Sequence, residues 1–229
     1  MATLYIVSTP IGHLKDVTIR ALEILGGVDL ILCEDTRVTQ KLLNHFNIKT
    51  RTLSYHQHSR LKKIKYILEL LRKGKNLALV SDAGTPEISD PGNKLVEEVA
   101  KLLDDEVRIV PVPGVSALTA AASISGFPTD RFLFLGFPPQ KRKRKKFFEE
   151  VINSKYPVIL YESPYRILKT LNELKMVDAK LSVVVCRELT KKFETVYRGT
   201  IKEVIEEIEN PPAGGKIKGE FVIILKSKQ

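Results

Sequence analysis

Asp82 stands in the run Ser81-Asp82-Ala83-Gly84-Thr85-Pro86, which continues through Ile88 to Ser89-Asp90-Pro91-Gly92. A carboxylate in such a run can accept a hydrogen bond from a hydroxyl, an amine or a neighbouring N–H. Gly84 lets main chain approach a ligand closely, and Pro86 and Pro91 remove donors and stiffen the path. The apolar residues just before it, Leu77-Ala78-Leu79-Val80, suit a strand buried on both faces. Ligands of open α/β sheets sit beyond the carboxyl ends of the strands, so a long polar loop after a central strand points to a binding site. The plainer reading of Asp90 is a cap on a helix that begins near Asn93.

Other polar runs also follow strand-like segments: Thr9-Pro10-Ile11-Gly12, Glu34-Asp35-Thr36-Arg37 and Pro113-Gly114-Val115-Ser116. Gly12 stands alone after the first strand, so the glycine patterns of dinucleotide and P-loop nucleotide sites are absent. Gly114-Val115-Ser116-Ala117-Leu118 lacks the closing Gly of a nucleophile elbow, and Ser116 reads better as a helix-start hydroxyl. His56-Gln57-His58 offers two imidazoles with no carboxylate or thiol at matching spacing, so no metal is expected. Cys33 and Cys186 each end an apolar run, as reduced core thiols do.

The elements that must carry these residues follow from periodicity. Strands are expected at residues 4–7, 30–33, 51–53, 77–80 and 107–110. Helices are expected at 16–25, 38–45, 61–72, 94–103 and 116–124. Strand and helix alternate five times, which predicts a mostly parallel sheet covered on both faces and puts the four polar loops at one sheet edge. The pattern changes near Gly126-Phe127-Pro128. Strands at 132–135, 158–161, 181–186, 196–200 and 221–225, with helices at 145–153, 165–174 and 201–208, predict a second α/β domain with a mixed sheet. Two domains, 1–125 and 126–229, are therefore expected.

The 229 residues carry a formal charge of +10 with 43% hydrophobic and 28% charged residues, ordinary for a soluble protein. No apolar run approaches the roughly 18 residues of a membrane span, and the first residues lack a signal peptide's basic start and cleavage site, so a cytoplasmic location is expected. The charge is uneven. Residues 126–229 hold 21 Lys+Arg against 13 Asp+Glu, and six of those cations form the run Lys141-Arg142-Lys143-Arg144-Lys145-Lys146. Such a run is either a solvated surface or a set of phosphate contacts.

Taken together, the loops resemble a known family. Thr9-Pro10-Ile11-Gly12, Glu34-Asp35-Thr36-Arg37, Ser81 to Pro86 with Ser89-Asp90-Pro91-Gly92, and Pro113-Gly114 with Ser116 all take part in the likeness. So do Tyr161-Glu162-Ser163-Pro164-Tyr165-Arg166 and Arg187-Glu188-Leu189-Thr190-Lys191 with Glu194. In this order they are similar to the small-subunit ribosomal RNA ribose methyltransferases of the RsmI type, which have the tetrapyrrole-methylase fold. His13 departs from that pattern, where the family usually has Asn. The resemblance implies a homodimer of two α/β domains with S-adenosylmethionine in the cleft between them. It also implies methylation of a cytidine ribose 2′-hydroxyl in the decoding region of 16S rRNA in the small ribosomal subunit. Some family members carry a further small C-terminal domain; without one, the core and the basic run would have to grip the RNA.

Carried over residue by residue, the cofactor is expected against Pro10, Gly12, Asp82, Ala83, Gly84, Pro86, Ile88, Ser116 and Ala117, with Tyr161, Glu162 and Leu189 reaching in from the second domain. Methyl transfer to oxygen needs three atoms in line, and positioning alone supplies about 7–11 kcal/mol of the barrier. A ribose hydroxyl is a weak acid and gains from a base or from a nearby cation. Glu34, Asp35, Glu162 and Glu188 are the candidate bases, and Arg37, Arg187 and Lys191 the candidate cations. Two other readings stay open: a methyltransferase of the same fold acting on a tetrapyrrole or another small molecule, and a non-catalytic RNA-binding protein of ribosome assembly.

Overall fold

The computed structural model describes residues 1–56, 61–90, 93–210 and 217–226. It divides into two compact units, Met1–Ser116 and Ala117–Gln229.

The first unit holds β1 (Ala2–Val7), α1 (Ile19–Gly27), β2 (Leu30–Cys33), α2 (Thr36–His45), β3 (Thr52–Ser54), α3 (Leu61–Arg72), β4 (Leu77–Leu79), α4 (Asn93–Leu102) and β5 (Val107–Val112). All pairings are parallel, in the order β3-β2-β4-β1-β5. The run 77–79 is therefore the middle strand, and Leu77, Ala78 and Leu79 are all buried. One difference from expectation lies at residues 16–25. A 3-10 turn, Leu14–Asp16, comes first, and α1 starts only after Thr18, whose hydroxyl accepts from the Ala21 N–H at 3.1 Å.

The connection β1 to β2 runs one way across the sheet and β4 to β5 the other. Because parallel crossovers are right-handed, their helices cover opposite faces. Side chains of α1 and α2 pack on Val7, Ile31 and Val80, while those of α3 and α4 pack on Leu4, Leu32 and Leu79. The loops leaving β1 and β4, which are sheet neighbours, thus start side by side and depart to different faces. That is the topological switch at which α/β sheets bind ligands.

The second unit comprises α5 (Ala117–Ser125), β6 (Leu133–Gly136), α6 (Arg144–Ile152), β7 (Val158–Glu162), α7 (Ile167–Val177), β8 (Ser182–Arg187), β9 (Thr195–Thr200), α8 (Ile201–Glu209) and β10 (Phe221–Leu225). The sheet order is β6-β7-β10-β8-β9, with β6 and β7 parallel and the rest antiparallel, a mixed sheet. Side chains of α6, α7 and α8 share one core with Phe221, Ile223 and Leu225 of β10. Helix α5, grouped with the first half by sequence, packs on β10, so the second unit begins nine residues earlier than the expected 126. Among the described residues no helix is long and apolar enough to cross a membrane. Both thiols are free and buried.

Candidate functional site

Backbone pairing joins the loops after β1 and β4. Thr9 N–H donates to Gly84 O at 2.9 Å and Gly84 N–H to Thr9 O at 3.0 Å, an isolated bridge outside the sheet. Side chains extend the tie to a third loop. The Thr85 hydroxyl donates to Val115 O at 3.0 Å, so its 2.9 Å contact with Ser8 Oγ has Ser8 as the donor. Thr9 Oγ1 donates to Ser81 O at 3.2 Å. The loops after β1, β4 and β5 are therefore one interlocked edge, with Pro10 buried and Asp82 exposed beside it.

Two glycines let the strands of this edge come so close. A Cβ on Gly114 would lie 2.9 Å from Ser8 Cβ. Gly84 has φ +82, where an L side chain is strained, and a Cβ there would lie 3.3 Å from Ile11 Cγ2. Glu87 and Ser89 also have positive φ, at 73 and 65. Non-glycine residues held there mark a loop whose conformation its surroundings dictate. Ile88 between them is 38% exposed. The His13 imidazole Nδ1 accepts from Lys15 N–H at 3.2 Å, so this residue starts the 3-10 turn as an Asn would.

The loop after β2 joins the same edge. Asp35 N–H donates to Asp82 Oδ1 at 3.1 Å. Burial, together with the charges of Asp90 and Asp82, pushes the Glu34 carboxyl up to about 7, against a hydrogen bond from the Asp82 backbone. Asp35 behaves oppositely. It caps α2 and takes a bidentate Arg37 guanidinium, which holds it down at about 2. Arg37 is itself exposed and committed to that pair.

In the second unit, the four other acid–base candidates are structurally engaged. Glu162 is 1% exposed. Its Oε2 accepts from Thr170 Oγ1 at 2.6 Å, and its Oε1 accepts from Ser163 N–H at 2.8 Å and pairs with Arg166 at 2.8 Å. Glu188 has φ 51 and accepts from Lys191 and from the Glu220 N–H, each at 2.9 Å; these bonds outweigh burial and hold its carboxyl low. Burial works against the Lys191 charge, yet its bonds to Glu220 and Glu188 raise it overall. Arg187 Nε donates to Lys218 O at 2.8 Å. Leu189 is buried, and the Tyr161 hydroxyl accepts the Leu118 N–H at the start of α5 at 3.1 Å.

The basic run is not uniform. Lys141, Arg142, Lys143, Lys145 and Lys146 are exposed, but Arg144 is buried. Its guanidinium donates to Glu173 at 2.8 Å, to Pro139 O at 2.7 Å and to Thr170 Oγ1 at 3.0 Å, and it lies over the Phe148 ring. Thr170 was not a sequence candidate and Arg144 was one only as a member of the basic run, yet both fall on the apolar faces of their helices: Arg144, Phe148, Val151, Ile152 on one and Ile167, Thr170, Leu171, Leu174 on the other. Among the described residues no group of His, Cys, Asp and Glu could hold a metal. His58, Pro91 and Gly92 lie outside the described residues.

Comparison with known proteins converges on one family. The Tetrapyrrole (Corrin/Porphyrin) Methylases match residues 3–205. A protein of Hydrogenobaculum sp. (strain Y04AAS1) named ribosomal RNA small subunit methyltransferase I is 47% identical over 227 residues, 98% of this chain and 96% of that protein. The protein of that name from Thermotoga maritima is 43% identical over 229 residues, all of both chains. The crystal structure of a diphthine synthase superposes with a TM-score of 0.74 over 100% of this chain and 91% of that one, at 16% identity, which is a likeness of fold.

Proposed function

We propose, from the premise that the chain belongs to the tetrapyrrole methylases and, within them, to the ribosomal RNA small subunit methyltransferase I group, that it is an rRNA methyltransferase. Its donor is S-adenosylmethionine, and its acceptor is a cytidine ribose 2′-hydroxyl in the decoding region of 16S rRNA. It acts in the cytoplasm as a homodimer on the small ribosomal subunit.

One observation carries the reading: the loops after β1, β4 and β5, distant in sequence, are bonded into a single edge at the topological switch of the first sheet. The residues there fit the donor. Asp82 offers an exposed acceptor for its hydroxyl or amino groups, Ile88 an exposed apolar surface, and Gly84 close main-chain approach, with Pro10, Ala83 and Ser116 alongside. When bound, S-adenosylmethionine supplies an electrophilic methyl group on a sulfonium.

Of the four candidate bases, Glu34 has the properties the step needs. A base works best with a pKa near the working pH, and Glu34 sits at about 7 beside Asp82. Asp35 is held too low by Arg37, Glu162 is fully occupied by Thr170, Ser163 and Arg166, and Glu188 is held down by Lys191. In this reading the Glu34 carboxylate accepts the proton of the ribose hydroxyl, while Asp35 and Glu162 fix the loops that carry them.

The test is transfer of tritium from methyl-labelled S-adenosylmethionine. Incubation with unmethylated 30S subunits should label 16S rRNA at a cytidine ribose, while uroporphyrinogen and acceptor-free controls stay blank. Label on uroporphyrinogen, or none on RNA, overturns the assignment.

A further inference from the structure

Two loops of the second unit leave the carboxyl ends of neighbouring parallel strands. Residues 137–143 follow β6, and residues 163–166 follow β7. They are bolted together from beneath. Arg166 donates to Pro138 O at 3.0 Å, and Arg144 to Pro139 O at 2.7 Å. Arg144 and Glu162 meet on Thr170, whose hydroxyl receives from the former at 3.0 Å and donates to the latter at 2.6 Å. Buried networks with every member satisfied rigidify what they support. What they support here is an outer surface of unusual content. Tyr165 is 94% exposed at the tip of the second loop and Phe137 is 50% exposed at the start of the first. Lys141, Arg142 and Lys143 are exposed on that first loop.

A tyrosine ring held almost wholly in water at a rigid turn has no role in the core. Exposed rings beside cations are what unpaired nucleic acid requires, because bases stack on the rings and phosphates take the charges. Duplex RNA offers phosphates but no free base faces. Arg144, which the sequence groups with the other five cations of the run, is the strut and not a contact.

We propose that this surface docks an unpaired segment of RNA, with one base stacked on Tyr165, a second against Phe137, and backbone phosphates on Lys141, Arg142 and Lys143. The inference rests on the reading of the chain as an rRNA methyltransferase and adds the conformation of RNA that it grips and the residues that grip it.

The test measures fluorescence anisotropy of a labelled unpaired 12-nucleotide RNA and of a duplex of the same length, each over a salt series. Tyr165→Ala should weaken single-strand binding about 5- to 150-fold, the value of one stacked base, with an unchanged salt slope. Tyr165→Phe should retain wild-type binding, and neither variant should alter duplex binding. Replacing Lys141, Arg142 and Lys143 together by Gln should lower the single-strand salt slope by about 2, at roughly 0.7 per lost phosphate contact. Binding within twofold of wild type for Tyr165→Ala, an unchanged slope for the triple variant, or preference for anionic vesicles over the oligonucleotide overturns the proposal. Wild-type labelling of 30S subunits, run in parallel, separates the two claims. If labelling succeeds and Tyr165→Ala binds normally, only the surface is wrong; if labelling fails while stacking is seen, the methyltransferase reading is wrong.

Discussion

Asp35 and Asp82, 47 positions apart, are joined by a 3.1 Å hydrogen bond from the backbone of the first to the carboxylate of the second. A hydrogen bond from the Asp82 backbone to the Glu34 carboxyl answers it. The loops after β2 and β4 thus hold each other by main chain and side chain alike, and Asp82 has a further oxygen to offer to solvent or ligand. Asp82→Ala removes that oxygen and one exposed hydrogen bond, a loss of about 1 kcal/mol to the fold. Affinity for S-adenosylmethionine measured by calorimetry should fall at least about tenfold, with the unfolding midpoint nearly unmoved. Wild-type affinity in the variant would remove Asp82 from the site.

Glu34 makes a pH prediction whose sign is fixed. Its folded pKa, about 7, lies above the ordinary 4.5, because burial and the charges of Asp90 and Asp82 disfavour the carboxylate. The folded state therefore binds the proton more tightly than the unfolded chain. The stability this confers is complete below about 4.5 and is lost as pH rises through 7. Glu34→Gln should be the more stable form at pH 8, by about 1–2 kcal/mol after allowance for solvent screening, and should lose that advantage near pH 4.5. For activity the direction reverses. kcat/KM should climb with pH up to about 7 and then level, and Glu34→Gln should lose about 10²–10⁴-fold in rate. A flat profile with an active Gln variant would assign the base elsewhere.

Gly84→Ala tests the interlocked edge itself. The new Cβ faces Ile11 Cγ2 at 3.3 Å, and the backbone is held at φ +82. The strain should cost about 1–2 kcal/mol in chemical denaturation, with cofactor affinity falling alongside. Gly74, also at positive φ but with nothing near its Cβ, is the control. Its Ala variant should show a similar backbone cost and unchanged affinity.

Most of the architecture was legible because the pattern is local. The continuous apolar run 77–80 announced a central buried strand, and the helical period over residues 61–72 announced α3 with its bounds, although Leu61 at its start is exposed. The polar loops were legible as residues but not as a lattice. That Thr85 reaches Val115, or that Asp82 meets Asp35, depends on strand order, which no local signal encodes. The four candidate bases looked alike in sequence for the same reason. What separates Glu34 from Asp35 is burial against an adjacent guanidinium, and both arise only after folding. The run 141–146 misled in the other direction. Six like charges read as one exposed set, either solvated or on phosphates, while the helix period that places Arg144 with Phe148 on the inner face was present and overridden by composition.

That inner position makes Arg144 separable from its neighbours by experiment. Its side chain is 8% exposed and pairs with Glu173, which is 31% exposed. Removing one partner of a fully buried pair costs roughly 3–5 kcal/mol, and the wetter Glu173 lowers the expectation for Arg144→Met to about 2–3 kcal/mol. Pro139 O and Thr170 lose a donor in the same variant. Lys145→Met, one position along and exposed, should change stability by less than about 0.5 kcal/mol. Urea unfolding of the two variants side by side measures the difference. Equal midpoints would mean that the Arg144 guanidinium is solvated like the rest of the run, and that the loop it bolts to Thr170 is free to move.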